Sequence, residues 1–319
     1  MKYLITGGAG FIGSHLAEKL LGSGHDVNII DDLSTGSLEN ISGIRNSKKF
    51  HCTINSIMNP DVMEDLVAKT DYVVHLAAAV GVKYVIDNPL LALETNINGT
   101  GLVLSICNKF KKPVFIASTS EVYGKNDKDA LKEDDDRLLG STHISRWGYA
   151  ASKAVDEFLG LAYFREKKLD VTIGRFFNIV GPRQSARYGM VIPRMVKQAL
   201  LGNPITVYGD GKQKRCFTYI DDALEGVVGL MNSETAPGEI FNIGNTAEVT
   251  IEELAGRIKK LANSRSKIVY VPYEKAYEKG FEDMKRRKPD LGKIKKFTGY
   301  HPKHGLNDIL TKTIEYFEA

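Results

Sequence analysis

The chain has only three cysteines in 319 residues, Cys52, Cys107 and Cys216. Their odd number and wide spacing exclude a disulfide framework and any CxxC metal or redox pair, and they imply a reducing, cytoplasmic setting. Long apolar runs are missing as well. No stretch approaches the roughly eighteen uninterrupted apolar residues of a membrane span, so membrane insertion is not expected. The opening MKYLITGG carries neither an extended apolar region nor a small-residue cleavage site, and it reads as a first strand rather than a signal peptide. Charge of one sign is not in excess: 43 Lys and Arg against 39 Asp and Glu leave a net +4. With no basic run of patch length, nucleic acid is not an expected partner. Internal repeats and low-complexity tracts are absent. His301 and His304 flank a proline with no acidic helix face nearby, which reads as surface loop, and no metal site is expected.

What is present is an ordinary globular composition, 43% hydrophobic and 26% charged, long enough for about two domains at roughly 150 residues each. YLIT (3–6), DVNIID (26–31), YVVHLAA (72–78) and PVFIAST (113–119) are near-continuous apolar runs, as parallel strands covered on both faces require. Between them lie amphipathic segments such as FIGSHLAEKLLGSG and NINGTGLVLSICNKF. A helix over about 150–167 leads into a further strand, DVTIGRFFNIVG. This rhythm predicts an α/β fold, a doubly wound parallel sheet with right-handed crossovers. Beyond Gly181 prolines punctuate shorter elements, which suggests a smaller second domain. The expected division is 1–175 and 176–319, with segments near 217–243 returning to the first. KEDDDR at 132–137 reads as a solvated loop.

TGGAGFIG at 6–13 places Gly7, Gly10 and Gly13 between the first strand and first helix, with Phe11 and Ile12 opening that helix. The glycines suit a tight turn, close approach of backbone to a pyrophosphate, and close packing of helix on strand, while the helix N-terminus attracts negative charge. The second strand ends in Asp31 and Asp32, followed by Ser34, Thr35 and Gly36. A carboxylate there accepts from ribose hydroxyls and repels a 2′-phosphate, so the expected cofactor is NAD rather than NADP. In YAASK, Tyr149 and Lys153 are four apart and share a helix face. A lysine and a positive nicotinamide beside a buried tyrosine favour its phenolate. STSEVYG at 118–124 ends the fourth predicted strand and offers a hydroxyl to the same sheet edge.

These motifs, together with HLAA (75–78), NINGT (96–100), RFFNIVGPR (175–183) and VYGDGKQKRCFTYIDD (207–222), resemble the extended short-chain dehydrogenase/reductases that act on nucleotide sugars. The resemblance runs nearly the whole chain in order. It implies a Rossmann domain holding NAD, a smaller domain gripping a nucleotide diphosphate sugar, and a homodimer paired through the helices near 92–110 and 149–167. It implies that Thr119 is the catalytic hydroxyl, Tyr149 the base and Lys153 its activator. Leu76, Ala77, Ala78 and Asn96 would line the cofactor. Asn178 and Arg215 would contact the diphosphate, and Tyr208 would lie along the nucleobase. After the third strand the family usually carries an Asp-Ile pair for the adenine, whereas this chain reads CTINSI at 52–57.

TSE before VYG, RWGYAASK, and KGFEDMKRRKPD at 279–290 resemble the UDP-glucuronate decarboxylases, including the decarboxylase half of the bacterial enzyme that makes 4-amino-arabinose for lipid A. In that pattern Ser120 and Glu121 act near C5 and C6 of the sugar. Arg287 meets the carboxylate, delivers a proton, or binds the nucleotide. The alternative is a UDP-sugar 4-epimerase, in which Glu121 is structural. A 4,6-dehydratase is disfavoured because Ser120 stands where that reaction needs an acid far stronger than a hydroxyl. A non-enzymatic NAD-sensing scaffold is disfavoured because Thr119, Tyr149 and Lys153 are all present. Trp147 either shapes the sugar pocket or packs in the core, and His75 is expected to pack near the cofactor.

Overall fold

The structure, a computed structural model, describes residues 1–187, 189–276 and 284–318. The KGFED part of the 279–290 motif therefore lies outside the described residues. The first half alternates β1 (Lys2–Thr6), α1 (Phe11–Gly22), β2 (Asp26–Asp31), β3 (Phe50–Ile54), α2 (Pro60–Ala68), β4 (Tyr72–His75), α3 (Val82–Asp87), α4 (Pro89–Phe110), β5 (Val114–Thr119), α5 (Arg146–Lys167) and β6 (Val171–Phe176). The second half continues with β7 (Ile179–Val180), α6 (Val191–Leu200), β8 (Ile205–Tyr208), β9 (Lys214–Cys216), β10 (Thr218–Tyr219), α7 (Ile220–Met231), β11 (Ile240–Ile243), β12 (Glu248–Thr250), α8 (Ile251–Leu261) and β13 (Ile268–Val271). It ends with α9 (Tyr273–Ala276), β14 (Arg286–Arg287), α10 (Gly292–Thr298) and α11 (Leu306–Glu318).

Seven strands form a parallel sheet in the order β11-β6-β5-β4-β1-β2-β3. The order reverses at β1, so the crevice outside the carboxyl ends of β1 and β4 is where such a sheet takes its ligand. Alternate residues supply the two faces. Ile5, Ile29, Val74 and Phe115 pack on one side with α1, α6 and α7. Leu4, Ile30, Val73 and Ile116 pack on the other with α2 and α4. Both faces are buried, which is why these strands read as unbroken apolar runs. The run at 72–78 ends as a strand at His75. Thr6 Oγ1 accepts from the Leu76 and Ala77 amides at 3.2 and 3.1 Å, which turns the chain out of the sheet.

Short strand pairs build the second layer: β7 beside β10, β8 beside β13, and β9 between β12 and β14. Among the described residues one helix, α4, is long and apolar enough to cross a bilayer. It lies against the sheet, burying Ala92, Asn96, Gly99, Val103, Leu104 and Cys107. In the charge run, Glu133 departs from the expected solvated loop. It turns inward, its carboxylate accepting from the Asn242 amide at 2.8 Å, because Arg175 also reaches its carbonyl at 3.0 Å.

Beneath the sheet edge, Arg175 on β6 and Glu157 on α5 form a buried bidentate pair with N–O distances of 2.8 and 2.7 Å. Ser118 Oγ donates to the same carboxylate at 2.5 Å. Removing one partner of such a pair strands a buried charge. Glu157→Ala is therefore expected to lower unfolding free energy by about 3–5 kcal/mol, as urea denaturation would measure; a loss under about 1 kcal/mol would show that the pair does not hold α5 to the sheet.

Candidate active site

A cleft of about 530 Å³ opens at the carboxyl edge of the sheet and runs from the glycine turn to the β8–β9 layer. Gly7 sits in the left-handed region at φ +68°, and a Cβ there would meet the Ala77 nitrogen at 2.9 Å. A Cβ on Gly13 would lie 2.3 Å from the Gly7 carbonyl oxygen. Only glycine fits at these two positions, and the missing side chains leave a cradle at the open end of α1. That helix has no side-chain cap at Gly10, so its N-terminus faces the cleft with partial positive charge.

At the end of β2 the Asp31 carboxylate accepts from the Ala9 amide at 2.9 Å and the Leu33 amide at 2.8 Å. Burial pushes its pKa up while those amides act against the rise. Asp31, Asp32, Ser34 and Thr35 line the cleft with Phe11, Ile12, Leu76, Ala77 and Ala78. Two expected cofactor residues do not. Gly36 backs the Asp31 carboxylate, where a Cβ would lie 2.8 Å from Oδ1. Asn96 is buried and works from behind: its Oδ1 accepts from the Ala79 amide at 2.8 Å, and its Nδ2 donates to Ser152 Oγ at 3.2 Å. It shapes the loop that lines the cleft, as its place inside α4 requires. Where CTINSI departs from the family pattern, Asn55 and Ile57 line the cleft wall.

At the other end of the cleft, Thr119, Ser120, Glu121, Tyr149, Lys153, Asn178, Tyr208, Arg215 and Arg287 all converge. Thr119 Oγ1 accepts from the Glu121 amide at 3.2 Å and hydrogen-bonds with Tyr149. Glu121 lies between two arginines. Arg146 Nη2 donates to Oε2 at 3.2 Å, and Arg287 Nη1 donates to Oε1. Burial alone would raise this carboxyl, but Arg146 and then Arg287 outweigh it and hold it down at about 2. Arg287 Nη2 also donates to Asn178 Oδ1 at 3.1 Å, while Asn178 Nδ2 donates to the Cys216 carbonyl at 2.8 Å. Asn178 adopts φ +41°, unusual for a non-glycine residue. Arg215 and Arg287 are register partners on β9 and β14.

The sequence missed Arg146. RWGY carried the signal, because a helix starting at 146 rather than 150 puts Arg146, Tyr149 and Lys153 on one face at i, i+3 and i+7. Trp147 is buried beside the Arg146 guanidinium and is not among the residues lining the cleft. The expected depression of Tyr149 is also reversed in the chain by itself. Burial raises its phenol well above the ordinary range, Glu121 and Asp156 add to the rise, and Thr119 and Arg287 oppose it. Lys153 Nζ is bonded at 2.7 Å to Asp156 instead. His75, pushed down to about 3 by burial and then by Lys153, is a neutral packing residue between Thr6 and Thr100.

A doubly wound sheet with this glycine cradle and a Thr-Tyr-Lys set at its edge has the layout of the extended short-chain dehydrogenase/reductases. The profile of the GDP-mannose 4,6 dehydratase family matches residues 4–313, and the chain belongs to that family. It is 46% identical over 325 residues to the UDP-N-acetyl-alpha-D-glucosaminuronate decarboxylase of Bacillus cytotoxicus, covering 99% of this chain and 97% of the relative. It is 37% identical to UDP-glucuronic acid decarboxylase 1 of Danio rerio, covering 99% and 72%. Among solved structures it is similar to the UDP-glucuronic acid 4-epimerase of Bacillus cereus in complex with UDP-glucuronic acid and NAD, with a TM-score of 0.90, 31% identity and coverage of 100% and 99%.

Because Glu121 is held at about 2 against an ordinary 4.5, its ionised form contributes stability that is fully present above about pH 4.5 and is lost as pH falls toward about 2. Glu121→Gln is expected to flatten that part of the stability–pH curve. Urea denaturation at stepped acid pH would show it; parallel curves for the two proteins would mean the ion triad is not formed in solution.

Proposed function

We propose that the protein is an NAD-dependent decarboxylase of a UDP-linked hexuronic acid, with UDP-glucuronate as the reference substrate. The observation that carries this is Glu121 between Arg146 and Arg287 beside Thr119 and Tyr149. Two buried guanidiniums against one carboxylate leave positive charge facing the cleft, and a second carboxylate is its natural complement. The sugar's C6 carboxylate supplies one, whereas a neutral hexose does not. Arg215 and Arg183, also in the cleft wall, suit the diphosphate.

The cradle at Gly7 and Gly13, the open N-terminus of α1 and the paired acids Asp31 and Asp32 fit NAD. When bound, NAD supplies an acceptor for a hydride from sugar C4 and can return it. Tyr149, ionised, takes the proton of the C4 hydroxyl while Thr119 orients that oxygen. Loss of that proton together with the C4 hydride would leave a 4-ketone, and the C6 carboxylate would then be that of a β-keto acid. The C5–C6 bond would then break, its electrons passing into the ketone as CO₂ leaves, and the resulting enolate would take up a proton at C5. Glu121 stays ionised at working pH and repels the substrate carboxylate, a repulsion relieved when neutral CO₂ forms. Arg146 and Arg287 orient the group until then.

The likeness to a UDP-glucuronic acid 4-epimerase favours a second reading, in which the C4 hydrogen returns to the opposite face with C6 retained. The Bacillus cytotoxicus relative favours a substrate with a 2-acetamido group. We also propose that the protein works in a reducing compartment, with Cys52, Cys107 and Cys216 all free thiols. A homodimer through α4 and α5 is proposed on their exposed Leu90, Leu91, Val155 and Phe158. Phe158→Glu is expected to yield monomers by analytical ultracentrifugation, and an unchanged mass would discard that face.

Incubation with NAD and, separately, UDP-glucuronate, its 2-acetamido analogue and UDP-glucose is expected to release CO₂ from a uronate and leave UDP-glucose unchanged, as read by mass spectrometry and proton NMR. Inversion at C4 with unchanged mass would assign the epimerase. Tyr149→Phe is expected to lose at least about a hundredfold in turnover while still binding NAD.

A further inference from the structure

Asp156 is a buried acid that the reaction above does not use. It lies on α5 three residues beyond Lys153 and seven beyond Tyr149, on the same helix face. Its carboxylate is fully buried and accepts from Lys153 Nζ at 2.7 Å, with Lys153 itself only 3% exposed. Its other oxygen, Oδ1, is buried as well, and the Thr100 hydroxyl is the remaining polar group beside the carboxylate. The neighbouring Glu157 is committed to Arg175. Lys153 thus shares its helix face with a phenol one turn before it and a buried carboxylate one turn after it, and it is bonded to the carboxylate.

We propose that Asp156 is a positioning residue: it holds the Lys153 ammonium away from Tyr149 and so sets the pH at which Tyr149 becomes a base. The inference rests on the reading of Tyr149 as that base. An i,i+3 acid offers the lysine a charge-assisted bond inside low-dielectric protein, where it competes strongly with any other partner. The charges facing Tyr149 sort accordingly. Glu121, beyond β5, and Asp156 on α5 disfavour the phenolate; Arg287 on β14 and the hydrogen bond from Thr119 favour it. Arg146 is engaged by Glu121. Around Asp156, Lys153 and Thr100 favour ionisation and Glu157 opposes it. His75, on β4 behind Thr100, is neutral.

Replacing Asp156 by its neutral isostere removes the competing charge and lets Lys153 act on the phenol. In Asp156→Asn the acid limb of kcat against pH is expected to move to lower pH by about one unit, roughly tenfold more activity at a given pH on that limb. The phenolate ultraviolet difference spectrum, taken against Tyr149→Phe in the same background and without substrate, is expected to rise at correspondingly lower pH. Asp156→Glu keeps the charge and is expected to leave both curves near the parent's. Coincident curves for a folded Asn form, a shift to higher pH, or a Glu form displaced as far as the Asn form would each overturn the proposal. Should the Asn form not accumulate, Asp156→Ser carries the same expectation and the same refutation. If no UDP-uronate is turned over, the proposed function fails, while the phenolate titration still decides the role of Asp156.

Discussion

Glu121 cannot sit ionised in the floor of a cleft without cations, and the two that meet it come from different parts of the chain. Arg146 arrives on the first turn of α5, and Arg287 arrives on β14, held in register with Arg215 on β9. A buried carboxylate between two guanidiniums ties the sheet edge, the long helix and the C-terminal layer at one point. Breaking either contact would leave a desolvated charge, which is far costlier than losing an ordinary hydrogen bond. On the proposed function, the same triad would also meet the substrate carboxylate, so that one interaction would serve both assembly and recognition.

The surrounding polar groups are arranged in support. Arg286, the outward neighbour of Arg287, is paired with Glu248 on β12 and Asp129, which pins a two-residue strand that has little pairing of its own. Asn178 stays in a disfavoured backbone region because both ends of its amide are engaged, one by Arg287 and one by the Cys216 carbonyl. A strained residue of this kind persists where its surroundings over-determine it. Here they join the end of β6 to β9 and β14 in the wall of the cleft.

The nucleotide half of the cleft depends on steric space, and the reactive half depends on charge. Gly7 and Gly13 matter for atoms they lack, and the Thr6 hydroxyl steers the chain after β4 toward the cleft. In the reactive half, Tyr149, Lys153 and Asp156 share a helix face and divide one positive charge among them. Burial by itself drives the phenol away from ionisation, and the acids and the arginine around it decide how far.

Much of this was legible in the chain itself. Unbroken apolar runs identify the strands because both faces of a doubly wound sheet are buried, amphipathic patterns identify the helices, and the glycine turn reports its own backbone geometry. Tyr149 and Lys153 were visible as a local helical spacing, and Thr119, Ser120 and Glu121 as the end of a strand. Asn96 and Gly36 stand behind residues that line the cleft, a distinction between lining a site and supporting it that a motif does not make. The meeting of Glu121 with Arg146 and Arg287, and the diversion of Lys153 to Asp156, were decided by tertiary structure. Positions 121 and 287 are 166 residues apart, and they meet because the segment carrying β14 pairs both with β9 and with Leu131. Which of two nearby partners a buried ammonium chooses is settled by desolvation and distance, quantities that spacing along a chain does not contain.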